Sequence, residues 1–350
     1  MPIDARYMLR ALQLAKNGLG ATAPNPMVGA VIVYGNKIIG EGYTSPYGGP
    51  HAEVNAINAV KDRSLLSQSI LYVTLEPCSH FGKTPPCADL IVKHKIPNVV
   101  IGTLDPHEKV MGKGVARLRD SGCTVTVGVL EEACREHHKR FLTFHQKKRP
   151  YIILKWAETL DGFIAPSPNK RNAKPQPYWI SNKFSRQLVH KWRSEEQAIL
   201  VGTHTVLADN PKLDVRAWFG RPTVRVILDR HLKIQGKYHI LDPDTKTIII
   251  TEVKDTVKRL KDIDYEVIDF SEHVPQQICQ VLYKHHVTSV IIEGGGKTLQ
   301  SFITANLWDE ARVFIGPNTF GEGIRAPSLM ANKVSRREIG SDYLNLYMND

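Results

Sequence analysis

The chain has 350 residues, 42% of them hydrophobic and 23% charged, with a formal net charge of +11. This length suits two ordinary domains, and the composition supports packed cores and argues against a disordered chain. No apolar run reaches the roughly 20 residues that span a bilayer, and the opening Met1-Pro2-Ile3-Asp4-Ala5-Arg6 lacks the layout of an export signal, so a cytoplasmic location is expected.

In chain order, Asp4 caps a predicted helix whose apolar positions Met8, Leu12 and Ala15 share one face, with Gly18 as its stop. Val28 to Tyr34 reads as a strand, Gly35-Asn36 as a hairpin turn and Lys37 to Gly40 as the returning strand. A helix over Ala52 to Val60, a strand over Ile70 to Leu75 and a helix over Cys87 to Lys95 follow. Val99 to Gly102, a helix near Val115 to Ser121 and Thr124 to Val129 complete a series of alternating strands and helices. Glu131 to His145 reads as one helix leading out of a first domain, 1–146, and a second domain covers 150–350.

In that second domain, strands are expected at Tyr151 to Lys155, Ala198 to Val201, Val224 to Leu228, Thr247 to Thr251, Ser289 to Ile292 and Arg312 to Ile315. Helices are expected at Phe184 to Arg193, Val274 to Lys284 and Thr298 to Ala305, and Ala165 to Pro177 reads as a Pro- and Lys-rich loop. The basic residues are scattered, with the densest cluster at Lys147-Lys148-Arg149, which favours anionic small molecules and phosphorylated cofactors over a polynucleotide. Of the five cysteines, Cys123, Cys134 and Cys279 are expected as reduced, buried thiols.

The other two belong to the most informative pattern in the chain: His51-Ala52-Glu53, then Pro77-Cys78, then Cys87. One imidazole and two thiolates make a three-ligand set for zinc that leaves a coordination position open. Glu53, two residues after the imidazole, is placed to carry protons at that position. This approximates the H-x-E…P-C-x-x-C signature of zinc deaminases that act on nucleobases, but the two cysteines stand nine positions apart. A closed structural site is the alternative, with His80 as the nearby candidate for a fourth ligand. The expected layout sets His51 and Cys87 at two helix starts and Cys78 after a strand end, where backbone N–H groups favour thiolate.

Two stretches of the second half carry chemistry. Ile291-Ile292-Glu293-Gly294-Gly295-Gly296-Lys297-Thr298 is a strand running through a glycine turn into a helix, an arrangement that admits a phosphate closely. Thr205 to Pro211 reads as a polar binding loop after a strand.

With these residues in view, the chain resembles the bifunctional riboflavin-biosynthesis deaminase–reductases. The resemblance rests on Asn25-Pro26-Met27-Val28-Gly29, His51-Ala52-Glu53 and the run from Glu76 to Cys87. In the second half it rests on Leu154-Lys155 through Leu160-Asp161-Gly162, Trp179-Ile180, Thr205 to Pro211 with Leu213 and Arg216, and Glu293-Gly294-Gly295. It implies an α/β architecture, a cytidine-deaminase-like α/β/α sandwich followed by a dihydrofolate-reductase-like α/β domain. It also implies zinc and NADPH as cofactors, small pyrimidine ribosyl phosphates as substrates, no nucleic-acid or membrane partner, and a homo-oligomer.

By resemblance, His51, Cys78 and Cys87 hold zinc, Glu53 shuttles protons, Asn25 and His80 line the pyrimidine pocket, and the loop with Lys83 and Thr84 closes over the ribosyl phosphate. In the reductase half, Ala157, Trp179, Thr205, Asp209 and the run Gly295, Gly296, Lys297, Thr298, Leu299, Gln300 and Ser301 match cofactor-contacting positions. Arg193, Leu213, Arg216 and Glu293 match substrate-contacting positions, and Lys155 matches a lysine beside the reacting sugar. Either Lys155 or Glu293 polarises the carbonyl in this reading, the two arginines are phosphate partners or salt-bridge residues, and Trp179 is core or cofactor wall. The chain departs from the family at Pro177-Tyr178, just before Trp179, where a small polar residue is usual.

Overall fold

The computed structural model describes residues 3–81, 85–107, 110–171, 174–255, 260 and 263–349. The chain divides into two compact units, Met1–Lys148 and Arg149–Asp350.

The first unit contains, in order, α1 (Ala5–Ala15), β1 (Gly29–Tyr34), β2 (Lys37–Tyr43), α2 (Ala52–Ala59), β3 (Ile70–Leu75), α3 (Cys87–Lys93), β4 (Asn98–Thr103), α4 (Lys113–Asp120), β5 (Thr124–Val127), α5 (Glu131–His137) and α6 (Lys139–Lys147). Its sheet runs β2-β1-β3-β4-β5; β1 pairs antiparallel with β2 and β3, and β3, β4 and β5 are parallel. Strand periodicity of two sends Ala30, Ile32, Leu71 and Val73 to a core shared with Ala56, Ile57, Ala88, Ile91 and Leu118 of α2, α3 and α4. The intervening Val31, Val33, Ile70 and Tyr72 face Met8, Ala11 and Leu12 of α1 and Cys134 of α5. Two buried faces explain why β1 and β3 read as continuous apolar runs. Asp4 caps α1 as expected, accepting the Arg6 N–H at 2.9 Å.

The expected helix from Glu131 to His145 is two helices. His138 joins them with φ −89° and ψ 9°, outside helical geometry, and its buried ring places Nε2 at 3.1 Å from the Thr74 hydroxyl of β3.

The second unit contains β6 (Tyr151–Glu158), β7 (Phe163–Pro166), α7 (Lys183–Glu195), β8 (Ala198–Gly202), α8 (Thr203–Asp209), β9 (Val224–Leu228), β10 (Thr247–Thr251), β11 (Asp264–Val267), α9 (Val274–Lys284), β12 (Ser289–Gly294), α10 (Gly296–Thr304), β13 (Glu310–Ile315), β14 (Gly323–Arg325), β15 (Lys333–Ile339) and β16 (Asp342–Met348). The large sheet runs β11-β10-β9-β8-β12-β6-β13-β16-β15, parallel from β11 to β13 and antiparallel through β16 and β15. Ile152, Leu154, Ala198 and Leu200 pack with Ile278, Leu282, Leu299 and Phe302 of α9 and α10 on one face. Tyr151 and Ile153 meet Val189 and Trp192 of α7 on the other.

Two expectations change here. Thr205 to Pro211 is not a loop throughout, because Thr203–Asp209 forms α8 and Asn210 ends it in the left-handed region with φ 41°. Only Val206 of that helix is buried, which hides its periodicity from the sequence. The stretch Ala165 to Pro177 begins inside β7, whose partner is β14.

The start of the second unit is fixed by a buried ion pair. The Arg149 guanidinium donates to both Asp309 oxygens at 2.6 and 2.8 Å, and the Ile152 N–H donates to the same carboxylate at 2.8 Å. Asp309→Ala strands that guanidinium in a site where both side chains are 9% exposed, and should cost about 3–5 kcal/mol. All five tryptophans lie beyond residue 150, so a denaturant titration followed by tryptophan fluorescence reads this unit alone.

Candidate active centres

Each unit gathers its chemistry at strand ends. In the first, β3 delivers Glu76, Pro77 and Cys78, while His51 caps α2 and Cys87 opens α3. Their three ligand atoms lie within 4.8 Å of one another. His51 Nδ1 stands 3.7 Å from Cys78 Sγ and 3.4 Å from Cys87 Sγ. A tetrahedral zinc with ordinary Zn–S and Zn–N bonds sets such sulfur–nitrogen edges at roughly 3.5 Å, so the donor set fits the ion. The Cys87 backbone N–H also donates to Cys78 Sγ at 3.3 Å. A hydrogen bond from the Cys87 thiol, outweighing the effect of burial, holds Cys78 down to about 4, with His51 acting in the same direction. Cys78 is therefore ready to present thiolate to a cation, while the hydrogen bond to Cys78, then burial, pushes the Cys87 thiol well up.

Among the described residues no fourth side chain joins this group, and His80 is exposed. That geometry favours the open site over the closed one. Glu53 is buried in the first turn of α2; burial first, then the Cys78 charge, raises it to about 7, while His51 pulls the other way. A carboxyl poised near neutrality is suited to taking and returning a proton.

Sequence reasoning quoted Glu76 but gave it no task. The structure makes it the anchor beneath Cys78. Its buried carboxylate accepts backbone N–H groups from Asp105 at 3.2 Å, Gly112 at 3.0 Å, Gly114 at 2.9 Å and Val115 at 3.1 Å. Gly114 is obligatory there, since a Cβ would lie 2.1 Å from the Pro77 carbonyl oxygen. The available signal was an acid directly before the metal-binding Pro-Cys, followed by the glycines of Gly112-Lys113-Gly114.

Of the pocket residues, Asn25 is half-buried with its N–H donating to Thr22 at 2.9 Å. The His80 ring lies near-parallel to His107 at 6.2 Å, and His145 meets His107 edge-on at 4.6 Å. Lys83 and Thr84 lie outside the described residues.

In the second unit, Glu293 near the end of β12 is gripped by Arg193 of α7. Nε donates to Oε1 at 2.9 Å and Nη2 to Oε2 at 2.6 Å, with the two side chains 12% and 8% exposed. Arg193 Nη1 also donates to the Asp214 carbonyl at 3.2 Å, which His190 Nδ1 approaches at 2.8 Å. Arg193 is thus not a surface salt-bridge residue; its Nε and Nη2 engage Glu293 in a largely buried pair. Burial would raise Glu293, but the charges of Arg193 and Lys155 overcome it and hold the carboxyl at about 2. Burial lowers Lys155 on β6; Glu293 counters that and Arg193 adds to it.

The glycine turn is tightly cradled. A Cβ on Gly294 would lie 2.9 Å from the Thr205 side chain of α8, and Gly295 has φ 83° before α10 begins. Thr205 and the start of the run Gly295–Ser301 therefore converge. Leu299 points into the core and Leu213 is buried with φ 54°, which leaves their backbones for contact. Gln300 Oε1 accepts the Ser328 N–H at 2.8 Å, and Ser301 Oγ donates to the Thr298 carbonyl at 2.8 Å. Lys297 is exposed and Ala157 is half-buried on β6. Asp209 is bound by Arg171, from the Pro- and Lys-rich stretch before Trp179, and Arg216 by Asp214. Trp179 is 52% exposed, with the Arg186 guanidinium 4.7 Å above its ring, which excludes the core alternative.

An open His-Cys-Cys centre with a buried carboxylate in one unit, and a phosphate-admitting glycine turn beside a lysine in the other, define a zinc hydrolase joined to a nucleotide-dependent oxidoreductase. Residues 1–103 match the cytidine and deoxycytidylate deaminase zinc-binding region, and residues 150–342 match the RibD C-terminal domain. The chain is 42% identical to the riboflavin biosynthesis protein RibD of Aquifex aeolicus, over 92% of its own length and 89% of the relative's. It is 39% identical to that of Bacillus amyloliquefaciens, over 95% and 89%. The crystal structure of a diaminohydroxyphosphoribosylaminopyrimidine deaminase/5-amino-6-(5-phosphoribosylamino)uracil reductase from Thermotoga maritima superposes with a TM-score of 0.88 at 38% identity, covering 99% of this chain and 98% of that one.

The chain belongs to the RibD family of riboflavin biosynthesis. It is a bifunctional deaminase and reductase with zinc and NADPH as cofactors, built from a cytidine-deaminase-like unit and a dihydrofolate-reductase-like unit.

Proposed function

We propose that the first unit, 1–146 in the sequence reading, deaminates 2,5-diamino-6-(5-phosphoribosylamino)pyrimidin-4(3H)-one. The second, 150–350, then reduces the ribosyl group of 5-amino-6-(5-phosphoribosylamino)uracil to ribityl. The observation that carries this reading is the open His51-Cys78-Cys87 triangle with Glu53 buried beside it. The name of the Thermotoga maritima relative supplies the substrates.

Zinc, held by His51, Cys78 and Cys87, supplies the Lewis acidity that makes solvent nucleophilic near neutral pH. Glu53 takes the proton released from that solvent and passes it to the ring nitrogen, which makes the amine-bearing carbon electrophilic. After attack, Glu53 takes the proton of the newly added hydroxyl and delivers it to the amine, which leaves as ammonia while the carbonyl forms. Asn25 and His80 orient the pyrimidine, and Lys83 and Thr84 meet the ribosyl phosphate.

In the second unit NADPH supplies the hydride. The ribosylamine opens at its C1–ring-oxygen bond, Lys155 giving its proton to the departing oxygen, which becomes the 4′-hydroxyl, and the C1=N double bond so formed would accept the hydride at C1. Glu293 is too firmly ionised to be that acid. It keeps Lys155 charged and bonds to the substrate, while Arg193 fixes its orientation. Leu213 and Arg216 present the loop that meets the rest of the substrate. Ala157, Trp179, Thr205, Asp209 and the run Gly295–Ser301 hold the cofactor.

The reading includes a cytoplasmic homo-oligomer that acts on small molecules. The free cysteines agree with reducing surroundings, and the exposed edge strand β15 offers a second copy a place to pair. Among the described residues no helix is long and apolar enough to cross a membrane.

Glu53→Gln keeps the shape and loses the proton carrier. Ammonia release should fall about 10²–10⁴-fold, the range of lost general acid–base catalysis, with zinc content unchanged by elemental analysis. Release at the parent rate would remove Glu53 from the mechanism. The reductase carries a pH signature of its own. Protonated Lys155 is the acid, so NADPH oxidation on pre-deaminated substrate is present below its lowered pKa and lost as pH rises through it. Glu293→Gln removes the anion that holds this pKa up, so the alkaline limb should move to lower pH; an unmoved limb would deny the coupling.

A further inference from the structure

Leu213 and Arg216 lie on a loop with no helix or strand of its own, between the end of α8 at Asp209 and the start of β9 at Val224. Leu213 holds φ 54°, a left-handed backbone that is unfavourable for any residue with a Cβ. Such a loop keeps its shape only where neighbours impose it.

The neighbour here is α7. His190 Nδ1 lies 2.8 Å from the Asp214 carbonyl oxygen. Arg193, three residues on along the same helix face, donates from Nη1 to that oxygen at 3.2 Å. Further along the loop, the Lys191 ammonium lies 5.8 Å from the centre of the Trp218 ring. Gly220 then passes so close to the helix that a Cβ on it would lie 2.4 Å from the Ser194 Cβ. The loop is thus seated on one stretch of α7, from His190 to Ser194.

Of the two bonds at Asp214, the one from His190 is the shorter, and the Arg193 guanidinium is also engaged by Glu293. A carbonyl only accepts, so Nδ1 carries the proton and the tautomer of His190 is fixed. Burial first, then the Arg193 charge, lowers the His190 pKa, which keeps the ring neutral near neutral pH. The residue is 6% exposed, and among the described residues its ring makes no other hydrogen bond. The one bond of this buried imidazole therefore goes to the backbone between two substrate-facing positions.

We propose that His190 is a positioning residue for the reduction. Its Nδ1–H acts through the Asp214 carbonyl to hold Leu213 and Arg216 in the conformation that binds the ribosyl substrate. It takes no part in hydride transfer or in binding the cofactor. This role rests on the reading that the loop of Leu213 and Arg216 meets the substrate.

The test separates the donor from the shape of the ring. His190→Leu keeps most of the buried volume and removes the donor. His190→Asn gives up volume but sets an amide N–H where Nδ1 stood, since both nitrogens are two bonds from Cβ. Reduction of pre-deaminated substrate gives kcat and the KM for substrate and for NADPH. In His190→Leu the substrate KM should rise about fivefold, the scale of one lost hydrogen bond, with kcat and the KM for NADPH near the parent's. His190→Asn should keep the substrate KM near the parent value. A ring that merely fills space gives the reverse order, with His190→Asn the more impaired, and that result overturns the assignment. A parent-like substrate KM in His190→Leu, or an equal rise in both variants, overturns it as well. Where His190→Leu does not fold, His190→Ala is the donor-free variant, with the same expectations. Arg216→Gln examines the underlying reading separately, because it removes a charge from the loop and leaves the bond from His190 in place. It should raise the substrate KM. If it does not, the loop does not meet the substrate and the reading beneath His190 falls, whatever the His190 variants do.

Discussion

Two sulfurs and an imidazole nitrogen converge at the end of β3, with the Glu53 carboxyl hydrogen-bonded to Cys87 beside them. Three such donors packed within contact distance desolvate one another's lone pairs, and bringing two thiolates together is unfavourable unless a cation lies between them. Everything else in the first unit serves that convergence. The helix starts of α2 and α3 are brought to one point, Glu76 locks the segment before Cys78 through four backbone N–H groups, and Gly114 lets the locking loop approach the Pro77 carbonyl. Burial of Glu53 beside the ligands then gives a carboxyl that exchanges protons near neutral pH.

The second unit solves a related problem without a metal. Lys155, Glu293 and Arg193 place two cations and one anion in a largely buried site. The anion is held ionised by the cations, and in the proposed reduction proton donation falls to the lysine, whose pKa burial lowers. Arg193 reaches Glu293 across 100 residues of sequence, and its other contact, the Asp214 carbonyl, belongs to the loop of Leu213 and Arg216. One guanidinium therefore sets the Glu293 carboxylate and the loop around Asp214 together.

The zinc ligands were legible because chemistry restricts them: few combinations of residues at this spacing do anything else. Strands such as β1, β3, β6 and β8 were legible because they are buried on both faces and read as unbroken apolar runs. The misses are positions decided by distant partners. Strand β15 is Lys333–Ile339, almost wholly exposed and strongly charged, and it exists through pairing with β16. The split at His138 depends on Thr74 in β3, and the small helix α8 buries only Val206. The ion pairs Arg193–Glu293 and Arg171–Asp209 likewise join residues that no local pattern connects. Family resemblance named several of these residues as ligand contacts, and the structure adds that some of them first contact one another.

The account turns on a three-ligand metal centre with one position left for solvent. Zinc K-edge X-ray absorption on the purified protein reads that coordination shell directly. It should show two sulfur neighbours near 2.3 Å and two lighter ones, an imidazole nitrogen and a solvent oxygen, near 2.0–2.1 Å. A shell filled by four protein side chains, or protein that takes up no zinc, would contradict it.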